Sequence, residues 1–369
     1  MKREGYEEDS MTSYERVKTL LNKEIPDRMG LFEHFWPETL RDYWPKQGYP
    51  EGEKPEFYFD YDIFPCGGWF NTEPFIGRRE ILKETDEWWI IKDGRGATLK
   101  FWKNKSGTPE HIGFEVTTPE KWKEYREPLL EVNEERLGNL EKIRNALKIA
   151  REKKKFAMFG NMFVFELMRA TIGDQNFLPA LLLDPEWIKD FCQVYLEHYI
   201  RHYEILFQKV GLPDGFFLYE DFGYSNGPFC SPKTYEELIF PYEKAFLSFL
   251  KDYGLPVILH SCGDIRKVIP LIIDAGFDCL QPMEAKAGCD VIEIAKTYGR
   301  KISYMGNINV VPLSTNDPEK VKEEIVPKLR ELKRMRIPYF FHSDHSIPPT
   351  INLETYKYAL QLFYENCYY

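Results

Sequence analysis

The stretch Leu255–Asp264, LPVILHSCGD, decides how the second half of this chain is interpreted. Residues 256–259 form a short apolar run after a glycine, a pattern typical of a buried strand in a parallel sheet. His260 and Cys262 follow where the run ends, and Asp264 lies at the predicted start of a helix. An imidazole and a thiol are therefore predicted at the carboxyl end of a strand, which is where barrel enzymes carry their chemistry.

The same alternation extends over the rest of this half and predicts a closed α/β barrel. Short apolar runs at residues 215–219, 278–281, 302–305 and 339–342 alternate with longer segments of helical periodicity. Such alternation indicates right-handed βαβ units and a parallel sheet. The number of repeated units favours a closed barrel over an open sheet.

The first part of the chain lacks this alternation of predicted strands and helices. Residues 1–27 are predicted to form a helical lead-in, and residues 36–117 are predicted to form an irregular insertion that contains a hairpin over residues 88–102. The first and second barrel strands are predicted at residues 29–35 and 156–159. We expect the whole chain to form one barrel domain with this extension and insertion.

Composition and charge exclude several classes of protein. A net charge of −10 without a basic patch argues against binding to nucleic acid. The N-terminus is charged throughout, and no apolar run of about 18 residues is present, so we expect no membrane association and a cytoplasmic location. The seven cysteines are scattered and odd in number, which predicts reduced thiols.

Polar residues that follow the predicted strands should meet at one rim of the barrel. They are Glu220, Asp221, His260, Cys262, Gln281, Glu284, Asn307, Asn309, His342, Asp344 and His345. Imidazole and thiolate are strong zinc ligands, and a carboxylate or water can complete the site. The alternative is a hydrogen-bonded histidine beside a small buried cysteine.

Two further pairs of residues have open interpretations. Glu220 and Asp221 are candidates for acid and base catalysis or for lending a metal ligand, and the alternative is a solvated loop after a strand. His198 and His202 have metal-binding spacing on a helix, but a packed or solvated helix face is the favoured interpretation.

The order of these segments resembles the uroporphyrinogen decarboxylase superfamily. The resemblance rests on ERVKTLLNKEIPDR (15–28), LYEDFGYSNGPFCSPKTYEELIFPYEKAF (218–246), HSCGDIRKVIPLIIDAGFDCLQPMEAKAGCDVIEIAKTYGRKISYMGNI (260–308) and HSDHSIPPTINLETY (342–356). It implies a (β/α)8 TIM barrel. Decarboxylases of the family carry an arginine pair near the N-terminus in an M-R-Q-A-G-R-Y segment. The matching residues 29–44, MGLFEHFWPETLRDYW, lack that pair.

The chain is more similar to the methyltransferase branch of this superfamily. In that branch an H-x-C pair and a third ligand near the last barrel strand hold zinc, and His260 and Cys262 match the pair. The following I-x-P places His345 at the third ligand, with His342, Asp344 and Glu220 as alternatives. The chain has no D-x-H-x-x-G corrinoid motif, so the resemblance implies cobalamin carried on a partner protein. It leaves a homodimer open as the assembly.

The resemblance implies transfer of a methyl group from a small donor to that corrinoid. Abundant aromatic residues suggest a methoxy-aromatic donor, with Glu220 or Asp221 orienting or protonating it. The residues expected to bind it are Phe35, Trp36, Trp69, Tyr219, Phe222 and Asn307. The alternatives are a decarboxylase of another substrate and a barrel that binds a corrinoid or tetrapyrrole without catalysis. Metal content distinguishes the zinc-dependent methyltransferase from both of these alternatives.

Overall fold

The computed structural model describes residues 9–104 and 107–369. Its strands are β1 (Gly30–Leu31), β2 (Ile63–Pro65), β3 (Glu80–Glu84), β4 (Trp88–Lys92), β5 (Ala97–Trp102), β6 (Glu110–Phe114), β7 (Phe156–Met162), β8 (Gly215–Tyr219), β9 (Gly223–Tyr224), β10 (Gly227–Pro228), β11 (Val257–Ser261), β12 (Cys279–Pro282), β13 (Ser303–Met305) and β14 (Tyr339–Phe341).

The α-helices lie mostly between the barrel strands. They are α1 (Ser13–Leu21), α2 (Pro55–Tyr58), α3 (Pro119–Leu130), α4 (Leu140–Glu152), α5 (Val164–Thr171), α6 (Asp174–Leu183), α7 (Pro185–Val210), α8 (Pro232–Leu238), α9 (Phe240–Asp252), α10 (Ile269–Ala275), α11 (Val291–Tyr298), α12 (Val310–Ser314), α13 (Pro318–Arg334) and α14 (Leu353–Asn366). In the described part of the chain, no helix combines the length and apolar character that a membrane span requires.

Eight parallel strands form the barrel, in the spatial order β1-β14-β13-β12-β11-β8-β7-β2. This arrangement confirms the predicted (β/α)8 barrel. A separate antiparallel sheet has the order β3-β4-β5-β6, and it contains the predicted hairpin as β4 and β5. The side chains of Ile91, Ala97 and Leu99 form the small core of that sheet.

Asp62 joins the two ends of the barrel sheet. Its backbone amide donates to the Leu31 carbonyl at 2.9 Å, and the Leu31 amide donates to the Asp62 carboxylate at 2.8 Å. The buried carboxylate also accepts hydrogen bonds from Arg16 and Arg28 at 2.7 and 2.9 Å. Burial alone would raise the pKa of Asp62, but Arg28 and Arg16 hold it below its ordinary value. A buried ionic cluster of Asp62, Arg16 and Arg28 thus links the first two barrel strands, β1 and β2, at the point where the barrel nearly closes.

The first half of the barrel differs from the sequence prediction. The strand predicted over residues 29–35 is limited to the two residues of β1, and the prediction of residues 156–159 as the second barrel strand is wrong. The second strand is β2, which lies inside the predicted insertion of residues 36–117. With three residues among prolines, glycines and aromatics, β2 has no periodic signal.

The predicted lead-in over residues 1–27 contains α1, with residues 1–8 outside the described part of the chain. Thr12 caps this helix, because its hydroxyl accepts from the Glu15 amide while the Glu15 carboxylate accepts from the Thr12 amide. Val17, Leu20 and Leu21 are buried on one face of this helix.

The His198 and His202 rings are packed against Phe70 in the interior, as the helix interpretation predicted. His198 Nδ1 lies 2.8 Å from the Leu129 carbonyl, and its Nε2 has no hydrogen-bond partner among the described residues. Burial lowers the pKa of His198 to about 2. The ring is therefore neutral in the folded protein.

We expect this buried histidine to make the protein less stable in mild acid. In the unfolded chain a histidine binds a proton below about pH 6.5, whereas folded His198 does not. Its contribution to the free energy of unfolding is present above pH 6.5 and falls by about 1.4 kcal/mol for each pH unit below it. We therefore expect the free energy of unfolding in urea to fall less from pH 7.5 to pH 5.0 in His198→Gln than in the wild type. Equal losses in both proteins would contradict this assignment.

Candidate metal centre

The pairing of three neighbouring strands positions the centre. His260 on β11 is paired with Tyr219 on β8 and with Gln281 on β12. Asp221 follows the end of β8, and Cys262 follows the end of β11 directly. All five residues therefore lie at the carboxyl rim of the barrel, as the sequence predicts.

Asp221, His260 and Cys262 form a compact group of ligand atoms. One atom from each residue lies within 4.8 Å of the other two. His260 Nε2 is 3.4 Å from Cys262 Sγ and 3.5 Å from Asp221 Oδ1. The Cys262 backbone amide donates to Asp221 Oδ1 at 2.8 Å, which holds the carboxylate beside the thiol. The three side chains are partly exposed, so a ligand can reach them.

The electrostatics of this group suit a divalent cation. Burial raises the pKa of the Cys262 thiol well above its ordinary value, and the carboxylates of Asp221, Glu284, Glu166 and Asp344 raise it further. A cation would compensate this negative charge and favour the thiolate. Nitrogen, sulfur and oxygen donors are those that zinc takes. The residues present therefore fit a zinc ion.

Gln281 orients the imidazole of His260. Its Oε1 lies 2.5 Å from His260 Nδ1, so that Nδ1 donates and Nε2 faces Cys262 and Asp221. A hydrogen bond at the second ring nitrogen is a common feature of histidine ligands in metal sites.

The third predicted ligand, His345, lies elsewhere. Its ring stacks on Trp36, with centroids 5.7 Å apart and an interplanar angle of 20°. Of the described residues, the ligand group contains Asp221 in addition to the H-x-C pair and does not include His345. Asp344, an alternative, accepts backbone hydrogen bonds from Ala285 and Val310 and so anchors two rim loops.

Glu220 also lies outside the ligand group. Its fully buried carboxylate accepts hydrogen bonds from the amides of Phe165 and Glu166 at 3.0 and 2.7 Å, where α5 begins. Burial and the nearby Glu243 raise its pKa well above the ordinary value. Glu220 therefore holds the start of α5 in this structure, and its predicted role as a catalytic acid or base finds no support in its position.

Two of the predicted aromatic residues lie beside the centre. The Tyr219 ring is 5.2 Å from the His260 ring, and the Trp69 ring is 5.4 Å from Tyr219. Trp69 is 47% exposed, which leaves its face available to a ligand. Trp36 lies on His345 and is also partly exposed.

The other three predicted substrate contacts have structural positions instead. Phe222 is fully buried, and its ring packs on Phe165, Tyr235 and Phe240. Phe35 packs on Trp44 and on Tyr356. The buried Asn307 amide nitrogen donates to the carbonyls of Met283 and Cys289 at 2.6 and 2.8 Å. For Phe35 and Phe222, residue type alone could not distinguish core from pocket, because both use aromatic side chains.

Glu166 is a rim residue that the sequence prediction missed. It lies in the first turn of α5, and its Oε1 is 2.6 Å from Arg169 Nη1. Burial and the Asp221 carboxylate raise the pKa of Glu166 to about 7. The predicted strand ended at residue 159, whereas β7 ends at Met162. With the correct end, the search for polar residues that follow a strand would have found Glu166.

The barrel and its rim group define an α/β-barrel protein with a candidate metal centre, and comparison with known proteins identifies the family. Residues 91–365 match the family profile described as "Uroporphyrinogen decarboxylase (URO-D)". The chain belongs to this family.

Individual relatives cover smaller parts of the chain. A methylated-thiol--coenzyme M methyltransferase from Methanosarcina mazei is 32% identical over 95 residues, which are 25% of this chain and 23% of that protein. A uroporphyrinogen decarboxylase from Aquifex aeolicus is 26% identical over 132 residues, 36% of this chain and 37% of that protein. The chain thus spans well under half the length of either curated relative.

A solved structure, "methyltransferase from Methanosarcina mazei", matches nearly the whole fold. It covers 96% of this chain and 99% of its own, with a TM-score of 0.68 and 14% sequence identity. At this identity the similarity establishes the barrel fold alone.

Two substitutions distinguish Asp221, the third member of the candidate ligand group, from His345, the third ligand predicted from the sequence. We expect Asp221→Asn to weaken zinc binding by at least about tenfold, because an amide is a poorer ligand than a carboxylate. His345→Ala should leave zinc affinity unchanged. Competition with a chromophoric chelator measures both. Loss of zinc in His345→Ala with retention in Asp221→Asn would restore His345 as the ligand.

Proposed function

We propose that this protein is a zinc-assisted methyltransferase. It transfers a methyl group from a small methylated donor to a corrinoid on a separate protein. The observation that carries the proposal is the group formed by Asp221, His260 and Cys262 at the open rim of the barrel. The relatedness to a methylated-thiol--coenzyme M methyltransferase supports methyl transfer as the reaction class.

The proposed chemistry assigns separate tasks to the rim residues. When bound, zinc supplies a Lewis acid that polarises the donor heteroatom. The ion would be held by one nitrogen of His260, the sulfur of Cys262 and one oxygen of Asp221. Glu166, rather than Glu220, would exchange a proton with the donor, because it lies beside Asp221 and Cys262.

Methyl transfer fits the residues better than decarboxylation does. The similarity to a uroporphyrinogen decarboxylase raises that alternative. However, residues 29–44 contain a single arginine, Arg41, which is exposed and pairs with the adjacent Asp42 at 2.6 Å. A substrate with several carboxylates would lack the matching cations there.

Metal analysis combined with a methyl-transfer assay tests the proposal. We expect about one zinc per chain, and methylation of free cob(I)alamin by a methoxy-aromatic, methylamine or methylthiol donor, followed by visible absorbance. Cys262→Ser should lose the zinc, and its rate of methyl transfer should fall by at least about tenfold. Cys289→Ser is the matched control, since this thiol is buried nearby, with Sγ 3.7 Å from the Gly263 carbonyl, and lies outside the ligand group.

Two results would contradict the proposal. One is a zinc-free wild type that transfers methyl groups as fast as the zinc-loaded protein. The other is the absence of transfer from every donor class, together with release of carbon dioxide from a carboxylated substrate, which would favour the decarboxylase.

A second pair of variants tests whether the donor is aromatic. Trp69→Ala should raise KM for a methoxy-aromatic donor by about two- to tenfold, the amount expected from one aromatic contact. The KM for a methylthiol should change less, because that donor has neither a ring nor a charge. Trp89→Ala, a comparably exposed tryptophan on the antiparallel sheet, is the control. An equal effect of Trp69→Ala on both donors would exclude stacking on this side chain.

A further inference from the structure

A chain of hydrogen bonds links the backbone after the last barrel strand to His260. His342 is fully buried, and its Nδ1 lies 2.6 Å from the Ser343 carbonyl. Its Nε2 lies 3.4 Å from the side-chain amide nitrogen of Gln281. At the other end of the same amide, Oε1 is 2.5 Å from His260 Nδ1.

The direction of each hydrogen bond in this chain follows from the bond between His342 Nδ1 and the Ser343 carbonyl. A backbone carbonyl only accepts, so His342 Nδ1 carries a hydrogen. Burial lowers the pKa of His342 to about 3, so the ring is neutral and its Nε2 accepts. The amide nitrogen of Gln281 must therefore face His342, which leaves its oxygen facing His260. His260 Nδ1 then carries the hydrogen, and the lone pair of Nε2 is directed at Cys262 and Asp221.

The surroundings of His342 support the same assignment. His34 Nδ1 lies 2.9 Å from His342 Nε2, and His34 Nε2 lies 3.2 Å from the Tyr219 hydroxyl. Because His342 Nε2 accepts, His34 Nδ1 must donate to the same lone pair. Burial lowers the pKa of His34, so its ring is neutral and its Nε2 then accepts from the Tyr219 hydroxyl. Glu33 Oε1 is also 3.3 Å from His342 Nε2, but burial raises the pKa of Glu33 to about 8, so it adds no negative charge at neutral pH that would favour an imidazolium.

We propose that Gln281 is a positioning residue that fixes the tautomer of His260, and that His342 fixes the orientation of the Gln281 amide. A neutral imidazole has two tautomers, and only the one with hydrogen on Nδ1 presents a lone pair at Nε2 to a metal. The inference rests on the proposed zinc site for its purpose. The hydrogen bonds on which it is argued are those of the protein without metal.

The first test uses the metal-free full chain. In a two-bond proton–nitrogen correlation spectrum of protein labelled with nitrogen-15 histidine, His260 should show the tautomer with hydrogen on Nδ1. Gln281→Met removes the acceptor, and we expect the spectrum to show a mixture of both tautomers. Gln281→Glu keeps an acceptor at this position and should retain the wild-type tautomer.

The second test measures zinc affinity by chelator competition. Gln281→Met should weaken binding by about 10- to 100-fold, the usual effect of removing a partner of a ligating histidine. The control is Asn161→Leu, which removes another buried amide at the rim; Asn161 donates to Tyr203 and takes no part in this chain. It should leave zinc affinity unchanged.

A double substitution tests the role of His342. His342→Phe should weaken zinc binding in the wild-type background, because the Gln281 amide is then free to rotate. In the Gln281→Glu background the same change should have little effect, since both carboxylate oxygens accept hydrogen bonds. An equal effect of His342→Phe in both backgrounds would exclude control through the amide.

The results separate this inference from the proposed function. Hydrogen on Nε2 of His260 in the wild type, or an unchanged tautomer in Gln281→Met, would overturn the inference whether or not zinc binds. A wild type that takes up no zinc would contradict the proposed function, while the tautomer spectrum would still decide the role of Gln281.

Discussion

The parallel register of β8, β11 and β12 is the constraint on which the candidate centre depends. It places His260 between Tyr219 and Gln281, and the Glu220 amide donates to the His260 carbonyl at 2.9 Å. A shift of one residue along β11 would turn the His260 side chain to the opposite face of the sheet. It would then lose Gln281, Asp221 and the barrel rim together. The backbone hydrogen bonds that stabilise the barrel therefore also determine the ligand geometry.

The loop after β11 adds a second constraint. Two successive amides, those of Cys262 and Gly263, donate to the carboxylates of Asp221 and Glu284 at 2.8 and 2.9 Å. Gly263 has a φ of +78°, and a Cβ there would lie 2.4 Å from the Gly223 backbone. Only glycine permits this close approach. The negative charges around the thiol are thus held in place by backbone donors.

The sequence predicted the strand ends well and the directions of side chains poorly. His260 and Cys262 follow a clear apolar run, so their position at the rim was predictable. Glu220 and Asp221 were not distinguishable, because neighbours in an extended segment point in opposite directions; the structure shows Glu220 facing α5 and Asp221 facing the thiol. The alignment of His345 gave its place along the chain, but its packing on Trp36 depends on a segment far away in sequence.

The identity of the third donor affects what the site can do. With Asp221 beside Cys262, the donor set would carry two negative charges, whereas His345 would have left one. Two charges balance those of a zinc ion. A carboxylate oxygen is also a harder donor than a thiolate sulfur and transfers less charge to the metal. Zinc held by Asp221, His260 and Cys262 would therefore keep more of its Lewis acidity than zinc held by two thiolates and a histidine.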